Sequence, residues 1–225
     1  MKVIKFLAVI PARKNSKRIK NKNLIKYKGV PLVKHTLNQI SKLKDIKLSV
    51  LSSDSDKILK YSNKIKNCIA IKRPNKISKD NSSTEDAILH AISVIEKKGF
   101  KIENIILLQV TSPFRTSKDI KNCIDEFKKK KYISIFSSYS KKSFIWQKKN
   151  KTLKSLSYNF QNRIRSQKLK NLYYENGAIY IFDCKKFKKI KNRIMKPFGT
   201  YLMSEQNSLD LDSKDDLIFL RKGIK

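Results

Sequence analysis

The strongest strand signal in the chain is the segment NIILLQV at residues 104–110. Its apolar side chains fall on both faces of an extended backbone, so a strand built from it would be buried on both sides. Strands of this kind belong to parallel sheets that helices cover from both faces. The segment therefore predicts a central strand of an α/β sheet, and strands should alternate with helices on either side of it.

The residues around this segment do alternate in this way as far as residue 138. Short apolar runs predict strands over 6–10, 46–51, 69–71 and 133–137. Helical spacing predicts helices that begin at Pro31, at Asp54 or Ser55, at a capping box over Ser82–Glu85, and after Pro113. The pattern is typical of a doubly wound, mostly parallel α/β sheet that binds ligands at the carboxyl ends of its strands. The length of 225 residues fits one domain over 1–225.

The alternation stops over residues 139–175. Between Tyr139 and Tyr174 the chain has ten basic residues and no acidic residue. The segment could be a hairpin excursion or a disordered tether, and its apolar residues, including Trp146 and Phe160, favour the hairpin. Strand patterns return over 177–182 and 199–203, and Ser213 is the predicted cap of a last helix.

The composition is strongly basic, with 53 Lys and Arg against 18 Asp and Glu and a formal charge of +35. Lys supplies 45 of these cations, so we interpret most of the charge as solvated surface, because nucleic-acid contacts favour the forked Arg side chain. No apolar run approaches the ~20 residues of a membrane span. Three separated cysteines and two histidines show no metal or redox spacing. The sequence predicts a cytoplasmic protein with reduced thiols and excludes the secreted and zinc-ribbon classes.

A basic loop follows the first predicted strand. Residues 12–28 hold eight basic residues and no acid. Small, amide and basic residues at a strand end can surround a polyphosphate with backbone N–H donors and countercharge. The loop lacks both the Walker A spacing and the Gly-x-Gly-x-x-Gly fingerprint, and it could also be an ordinary exposed loop.

An acidic segment lies near the other end, where residues 205–216 hold five of the 18 acids. Asp210 and Asp212, two residues apart on an extended backbone, would point to one face, and their repulsion favours a shared cation such as Mg²⁺. The alternative is an acidic cluster that caps the last helix. A phosphate loop together with an acid pair points to nucleotidyl transfer.

Five segments in order resemble the CMP-sialic acid synthetases, also called acylneuraminate cytidylyltransferases. They are IPARKNSKRIKNKNL at 10–24, KRP at 72–74 with DNSS at 80–83, LLQVTSPFR at 107–115, ENGAIY at 175–180, and LDLD at 209–212. The resemblance covers residues 4–220, nearly the whole chain. It implies a Rossmann-like nucleotidyltransferase fold and a Mg²⁺-dependent enzyme. Such an enzyme joins CTP to an acidic nine-carbon 2-keto sugar and releases pyrophosphate.

The resemblance also implies site residues. Catalytic roles fall on the triphosphate-holding Arg13 and Lys22 and on the metal ligands Asp210 and Asp212, either of which could deprotonate the attacking hydroxyl. The implied substrate contacts are Ser16 and Lys17 in the loop, Asn23 at the ribose, Arg73, Ser82 and Ser83 at the cytosine end, and Gln109 and Asn176 on the sugar side. The family is usually dimeric through the part that corresponds to 139–175, which also faces the sugar.

The sequence departs from the family pattern in this part. Ser166 and Tyr174 stand where relatives tend to carry an arginine-glutamine segment and a further arginine. The departures leave open which acidic sugar is used and whether the carboxylate clamp is lost. The alternatives are a cytidylyltransferase for the eight-carbon acid (KDO), an inactive homologue, or a non-catalytic nucleic-acid-binding protein. Nucleic acid is the less favoured partner, because most of the positive charge comes from lysine.

Overall fold

The structure, a computed structural model, describes residues 1–16 and 18–222. The strands of this part are β1 (Lys2–Pro11), β2 (Lys26–Tyr27), β3 (Val30–Pro31), β4 (Leu48–Ser53), β5 (Cys68–Lys72), β6 (Phe100–Leu108), β7 (Ser134–Lys141), β8 (Trp146–Lys149), β9 (Thr152–Ser155), β10 (Leu172–Asp183) and β11 (Phe198–Leu202). The α-helices are α1 (Leu32–Ser41), α2 (Asp56–Leu59), α3 (Thr84–Lys97), α4 (Ser117–Lys130), α5 (Cys184–Ile190) and α6 (Lys214–Lys222).

Seven strands form one sheet in the order β11-β7-β10-β6-β1-β4-β5. The strand predicted to be central, β6, lies between β10 and β1. Neighbours pair in parallel except β10, which is antiparallel to both β6 and β7. The α/β class with a mostly parallel sheet is therefore confirmed. The direction of β10 was not predicted, because an apolar run carries no information on strand direction.

Helices cover both faces of this sheet. Along β1, Leu7 and Val9 pack with the buried side chains of α3 and α5, whereas Phe6, Ala8 and Ile10 pack with those of α1, α2 and α4. Successive strand residues point to opposite faces, so one apolar strand supplies both cores. This two-sided burial explains why the sequence of β1 and β6 is apolar without alternation.

The boundaries of the elements differ from the predictions where side chains take over backbone hydrogen bonds. β6 ends at Leu108 rather than Val110, and the carbonyl of Gln109 accepts a hydrogen bond from Arg115 instead of a strand neighbour. The capping box of α3 lies one residue later than predicted. Ser83 is the N-cap and Asp86 its partner, since an aspartate at this position reaches the cap as a glutamate would.

Residues 139–175 contain ordered strands. β7 and β10 continue side by side as far as the Lys141–Leu172 pair, and β8 and β9 form a separate hairpin between them. We call residues 142–171 the hairpin segment. Its large apolar side chains are exposed, among them Trp146, Leu153 and Phe160. Of the described helices, none is long and apolar enough to cross a membrane.

Candidate active site

A cleft of about 430 Å³ opens at the carboxyl ends of β1, β5 and β6, where a parallel sheet is expected to bind ligands. We call it the first cleft. It is lined by Pro11, Arg13, Ser16, Arg18, Lys22, Asn23, Arg73, Lys79, Asp80, Ser82, Ser83, Thr84, Gln109, Thr111 and Asp212. The structure thus brings most of the predicted site residues to one place. Lys17 lies outside the described residues.

The basic loop forms one wall of the first cleft. The guanidinium of Arg13 reaches across the cleft and donates to the Asp80 carboxylate at 3.0 Å and to the Lys79 carbonyl at 3.3 Å. Asn23 is buried, and its amide donates to the carbonyl of Arg13 at 2.8 Å. Asn23, the residue predicted to contact the ribose, therefore holds the backbone of the basic loop in place.

Lys22 connects the basic loop to the acidic segment. Its ammonium donates to the Leu211 carbonyl at 2.6 Å and lies 3.4 Å from the Asp212 carboxylate, which Arg18 also contacts. Burial lowers the pKa of Lys22, and the charge of Asp210 opposes that shift. The two segments that the sequence singled out by charge, almost 200 residues apart, face each other in the structure.

The opposite wall carries the predicted cytosine-end residues. Arg73 is buried and donates to the backbone carbonyl of Ser52 at 2.8 Å and to its hydroxyl at 3.2 Å. Ser82 and Ser83 precede α3, and the Ser83 hydroxyl accepts the Asp86 amide as the helix cap. The start of a 14-residue helix at this wall favours anionic ligands.

A second cleft, of about 510 Å³, lies along β10. It is lined by Tyr139, Glu175, Asn176, Gly177, Tyr180, Glu205, Ser208, Leu209 and Asp210. None of these lining residues is basic, and three are acidic. Tyr180 donates its hydroxyl to Glu175, and burial raises the pKa of that tyrosine. The two clefts therefore differ in charge.

Asn176, the other predicted sugar-side residue, lines the second cleft but is itself buried. Its amide nitrogen donates to the Ser208 hydroxyl at 2.9 Å, and its oxygen accepts from the Ser137 hydroxyl at 2.6 Å. These bonds join β10 to β7 and to the turn Gln206–Ser208 within the acidic segment. The structure shows Asn176 as a brace of the cleft wall, and sugar contact by its side chain stays a prediction.

The two clefts meet at Gly177. This residue has a φ of +69°, and a Cβ placed on it would lie 3.6 Å from the Gln109 side-chain nitrogen and 4.0 Å from Oδ2 of Asp210. A side chain here would be strained and would stand between Gln109 and Asp210. Groups bound in the two clefts can therefore approach each other at this point.

The acid pair is divided between the clefts. Between the two acids Leu211 is fully buried, whereas Asp210 is half-buried and Asp212 is exposed. Asp212 lines the first cleft and Asp210 the second. Burial raises the pKa of Asp210 against the opposing influence of Thr111 and Lys22. Its Oδ1 is buried without a hydrogen bond of normal geometry to any described residue. A carboxylate oxygen in this state fits a hard divalent cation.

The alternative role of the acidic cluster, capping the last helix, falls on Asp216. Its carboxylate accepts the backbone amides of Ser213 at 2.6 Å and Asp212 at 2.8 Å, and the Ser213 hydroxyl accepts the Asp216 amide at 3.2 Å. Ser213 and Asp216 therefore form a capping box at the start of α6, with Ser213 as the predicted cap, while Asp210 and Asp212 line the clefts.

Arg115, for which no role was predicted, is completely buried. Its guanidinium donates to the carbonyls of Gln109 at 2.9 Å and Ala178 at 2.7 Å and to the side chains of Thr36 and Gln39 on α1. Burial lowers the pKa of Arg115 to about 9. It holds the strand ends that carry Gln109 and Gly177. Arg115 ends the motif LLQVTSPFR, but the motif does not show what it contacts, because its main partners are backbone carbonyls.

The family model for the cytidylyltransferases matches residues 7–213, a range that includes both clefts. This chain belongs to the cytidylyltransferase family. Among similar proteins of this family are an N-acylneuraminate cytidylyltransferase of Streptococcus agalactiae, 28% identical over 96% of this chain and 52% of its own, and a pseudaminic acid cytidylyltransferase of Campylobacter jejuni, 25% identical over 97% and 95%. A CMP-N,N'-diacetyllegionaminic acid synthase of Legionella pneumophila is 26% identical over 97% and 96%. The chain spans about half the length of the streptococcal relative.

Solved structures support the same cytidylyltransferase fold. A CMP:2-keto-3-deoxy-manno-octonic acid synthetase complexed with CTP superposes with a TM-score of 0.68 at 15% identity, covering 97% of both chains. A 4-diphosphocytidyl-2C-methyl-D-erythritol synthase from Anaerococcus prevotii gives 0.68 at 13% identity, with 97% of both chains covered. At these identities the likeness shows the fold alone.

Proposed function

We propose that this cytidylyltransferase couples CTP to an acidic 2-keto sugar of the sialic, legionaminic or pseudaminic acid type, for surface glycan synthesis. The products are the CMP-sugar and pyrophosphate. The observation that carries the proposal is the meeting of a basic cleft and a second cleft at Gln109, Gly177 and Asp210. The names of the three relatives support the sugar class.

In this reaction the anomeric hydroxyl oxygen of the sugar attacks the α-phosphorus of CTP. The bond from that phosphorus to the oxygen bridging to the β-phosphate breaks, and pyrophosphate leaves with the electron pair. The hydroxyl proton passes to a carboxylate of the acid pair, either Asp210 at the junction of the clefts or Asp212 beside Lys22.

The basic loop holds the triphosphate. Arg13 would exchange Asp80 for a phosphate oxygen, and Lys22 supplies a second fixed positive charge. Arg73 and the start of α3 close the nucleotide end of the cleft, and Gln109 faces the sugar from the junction. Positioning and charge neutralisation of this kind account for most catalysis of phosphoryl transfer.

Asp210 and Asp212 are the residues that would hold Mg²⁺. When bound there, the ion would neutralise charge on the phosphate oxygens. The unpartnered oxygen of Asp210 supports this assignment. Lys22 lies beside both acids and offsets part of their negative charge. A divalent cation held by the two acids would offset the rest.

The identity of the sugar depends on the second cleft. Tyr174, at a position where relatives tend to carry arginine, stacks on Tyr139 with ring centroids 5.0 Å apart. Glu175 and Glu205 offer acceptors for hydroxyl or amide N–H groups of a sugar. The KDO cytidylyltransferase is the alternative, and the acceptors favour a sugar with several N–H and O–H donors.

We also propose a homodimer formed through the hairpin segment. Trp146 and Phe160 lie with ring centroids 5.6 Å apart, and both are exposed together with Leu153 and Leu156. A contiguous apolar surface of this kind favours a protein partner. Light scattering should give the mass of a dimer, and the variant Leu156→Asp should give a monomer.

The experiment for the activity is pyrophosphate release with Mg²⁺ and each of the four nucleoside triphosphates against a panel of acidic sugars. We expect release with CTP and one sugar acid only. Release with CTP and the eight-carbon acid alone would establish the alternative. Binding of a DNA duplex that falls steeply with salt and survives Asp210→Asn together with Asp212→Asn, without any pyrophosphate release, would establish the nucleic-acid alternative.

A further inference from the structure

Three buried side-chain oxygens without a hydrogen bond of normal geometry are found at the end of β6 and on the acidic segment: Thr111 Oγ1, Ser112 Oγ and Asp210 Oδ1. Within the described residues, the other buried atom in this state is Nδ1 of His90. Buried polar atoms in native proteins nearly always have a partner. Such a concentration marks a place where something else completes the bonding.

Thr111 is attached to the acidic segment through its backbone. Its carbonyl accepts the amide of Leu211 at 2.8 Å, so it fixes the residue that separates Asp210 from Asp212. Because Leu211 is fully buried, this bond anchors the acidic segment between its two acids.

Thr111 also lines the first cleft together with Asp212, and its backbone contact with Leu211 places it beside Asp210. Both the Thr111 hydroxyl and Oδ1 of Asp210 are buried there without a hydrogen bond of normal geometry. A carboxylate that ligates a metal is commonly oriented by a hydrogen-bond donor of this kind.

We propose that Thr111 is a positioning residue for the metal, whose hydroxyl holds the Asp210 carboxylate in the orientation that receives a divalent cation. The inference rests on the proposed function for the metal and adds a residue to which that function gives no role. In that orientation the Thr111 hydroxyl would donate to one oxygen of Asp210, and the other oxygen would bind the ion.

The test compares Thr111→Val, which keeps the shape and the backbone carbonyl but loses the hydroxyl, with Thr111→Ser, which keeps the hydroxyl. Mn²⁺ alone is the probe, and its binding is measured by the relaxation of water protons with Asp210→Asn as the reference for a lost site. We expect Thr111→Val to weaken Mn²⁺ binding by roughly tenfold, as is usual for groups that orient metal ligands. Thr111→Ser should bind within about threefold of the unchanged protein.

A purely structural role would give a different result. Replacing an unpartnered hydroxyl by a methyl group is nearly neutral for folding, so the melting temperature of Thr111→Val should not fall. Mn²⁺ binding by Thr111→Val that equals that of the unchanged protein would overturn the inference, and so would Thr111→Ser binding as poorly as Thr111→Val. An unchanged protein that binds no Mn²⁺ also overturns it. Pyrophosphate release by the unchanged protein reports separately on the proposed function.

Discussion

The two clefts meet at one glycine, yet they are built in different ways. The first cleft lies at the ends of parallel strands, and most of its positive charges come from the basic loop, with Arg73 and Lys79 on the opposite wall. The second cleft lies along the antiparallel strand β10, and its walls come from segments around residues 139, 175–180 and 205–210. The first is basic, and the second is acidic and aromatic.

Under the proposed function the first cleft holds the triphosphate of CTP and the second holds the sugar. A triphosphate is the same in every member of a cytidylyltransferase family, so loop backbone and a few cations can hold it in a constant way. A sugar varies from one enzyme to the next. The proposed sugar cleft includes Tyr139 and Glu175, the two ends of the segment in which Ser166 and Tyr174 depart from the family pattern.

The largest effects are expected in the first cleft. Arg13→Ala and Asp212→Ala should each lower pyrophosphate release by about 10²-fold or more, because each removes a contact to charge in the transition state. Circular dichroism should show an intact fold in both. Lys20→Ala is the matched control, since Lys20 is an exposed cation of the same loop that does not line the cleft. Its rate should stay within about threefold, and an Arg13→Ala rate in that range would break the assignment.

A substitution of Arg115, which holds the strand ends between the two clefts, should lower the stability of the fold. Arg115→Met leaves the buried carbonyls of Gln109 and Ala178 without their donor and should lower the free energy of unfolding by about 3 kcal/mol. Urea denaturation measures the loss. Lys121→Ala removes an exposed ion pair with Asp125 and should change the same quantity by less than about 1 kcal/mol. Equal losses of unfolding free energy in the two variants would show that Arg115 does not hold the strand ends that carry Gln109 and Gly177.

The basic loop and Arg115 also differ in how much of their role could be predicted from the sequence. Burial and charge leave local patterns in a sequence, so the strands β1 and β6 and the basic loop could be predicted. The direction of β10, the helix α5 in a lysine-rich segment, and the role of Arg115 depend on contacts between residues far apart in the chain. The role of Asn176 as a brace has the same origin, since its partners lie 39 and 32 residues away.

A smaller effect, confined to the sugar, is expected in the second cleft. Glu175→Gln removes the charge that accepts the Tyr180 hydroxyl and faces the cleft. The KM for the sugar should rise by about tenfold, the worth of one hydrogen bond to a charged group, with the KM for CTP unchanged. Steady-state kinetics with each substrate varied in turn measures both constants. A rise in the KM for CTP instead would erase the distinction between the clefts.

The smallest effect concerns the cost of keeping Asp210 buried. Its pKa is raised in the folded protein, so the folded state holds the proton more tightly than the unfolded state, and stability falls as the pH rises through that pKa. Asp210→Asn removes this loss and should raise the melting temperature of the unliganded protein at pH 7 by about 2–4 °C. The difference should disappear in acid, where Asp210 is protonated in both states. A variant that melts lower at pH 7 would show that the buried charge stabilises the fold.

The division of labour between the clefts is tested most directly by backbone hydrogen exchange with CTP and Mg²⁺ and no sugar. We expect slower exchange in residues 11–16, 18–24 and 79–84, which include the walls of the first cleft, and unchanged exchange in 175–176 and 205–208 of the second. Protection of the second cleft by CTP, with the basic loop unchanged, would contradict it.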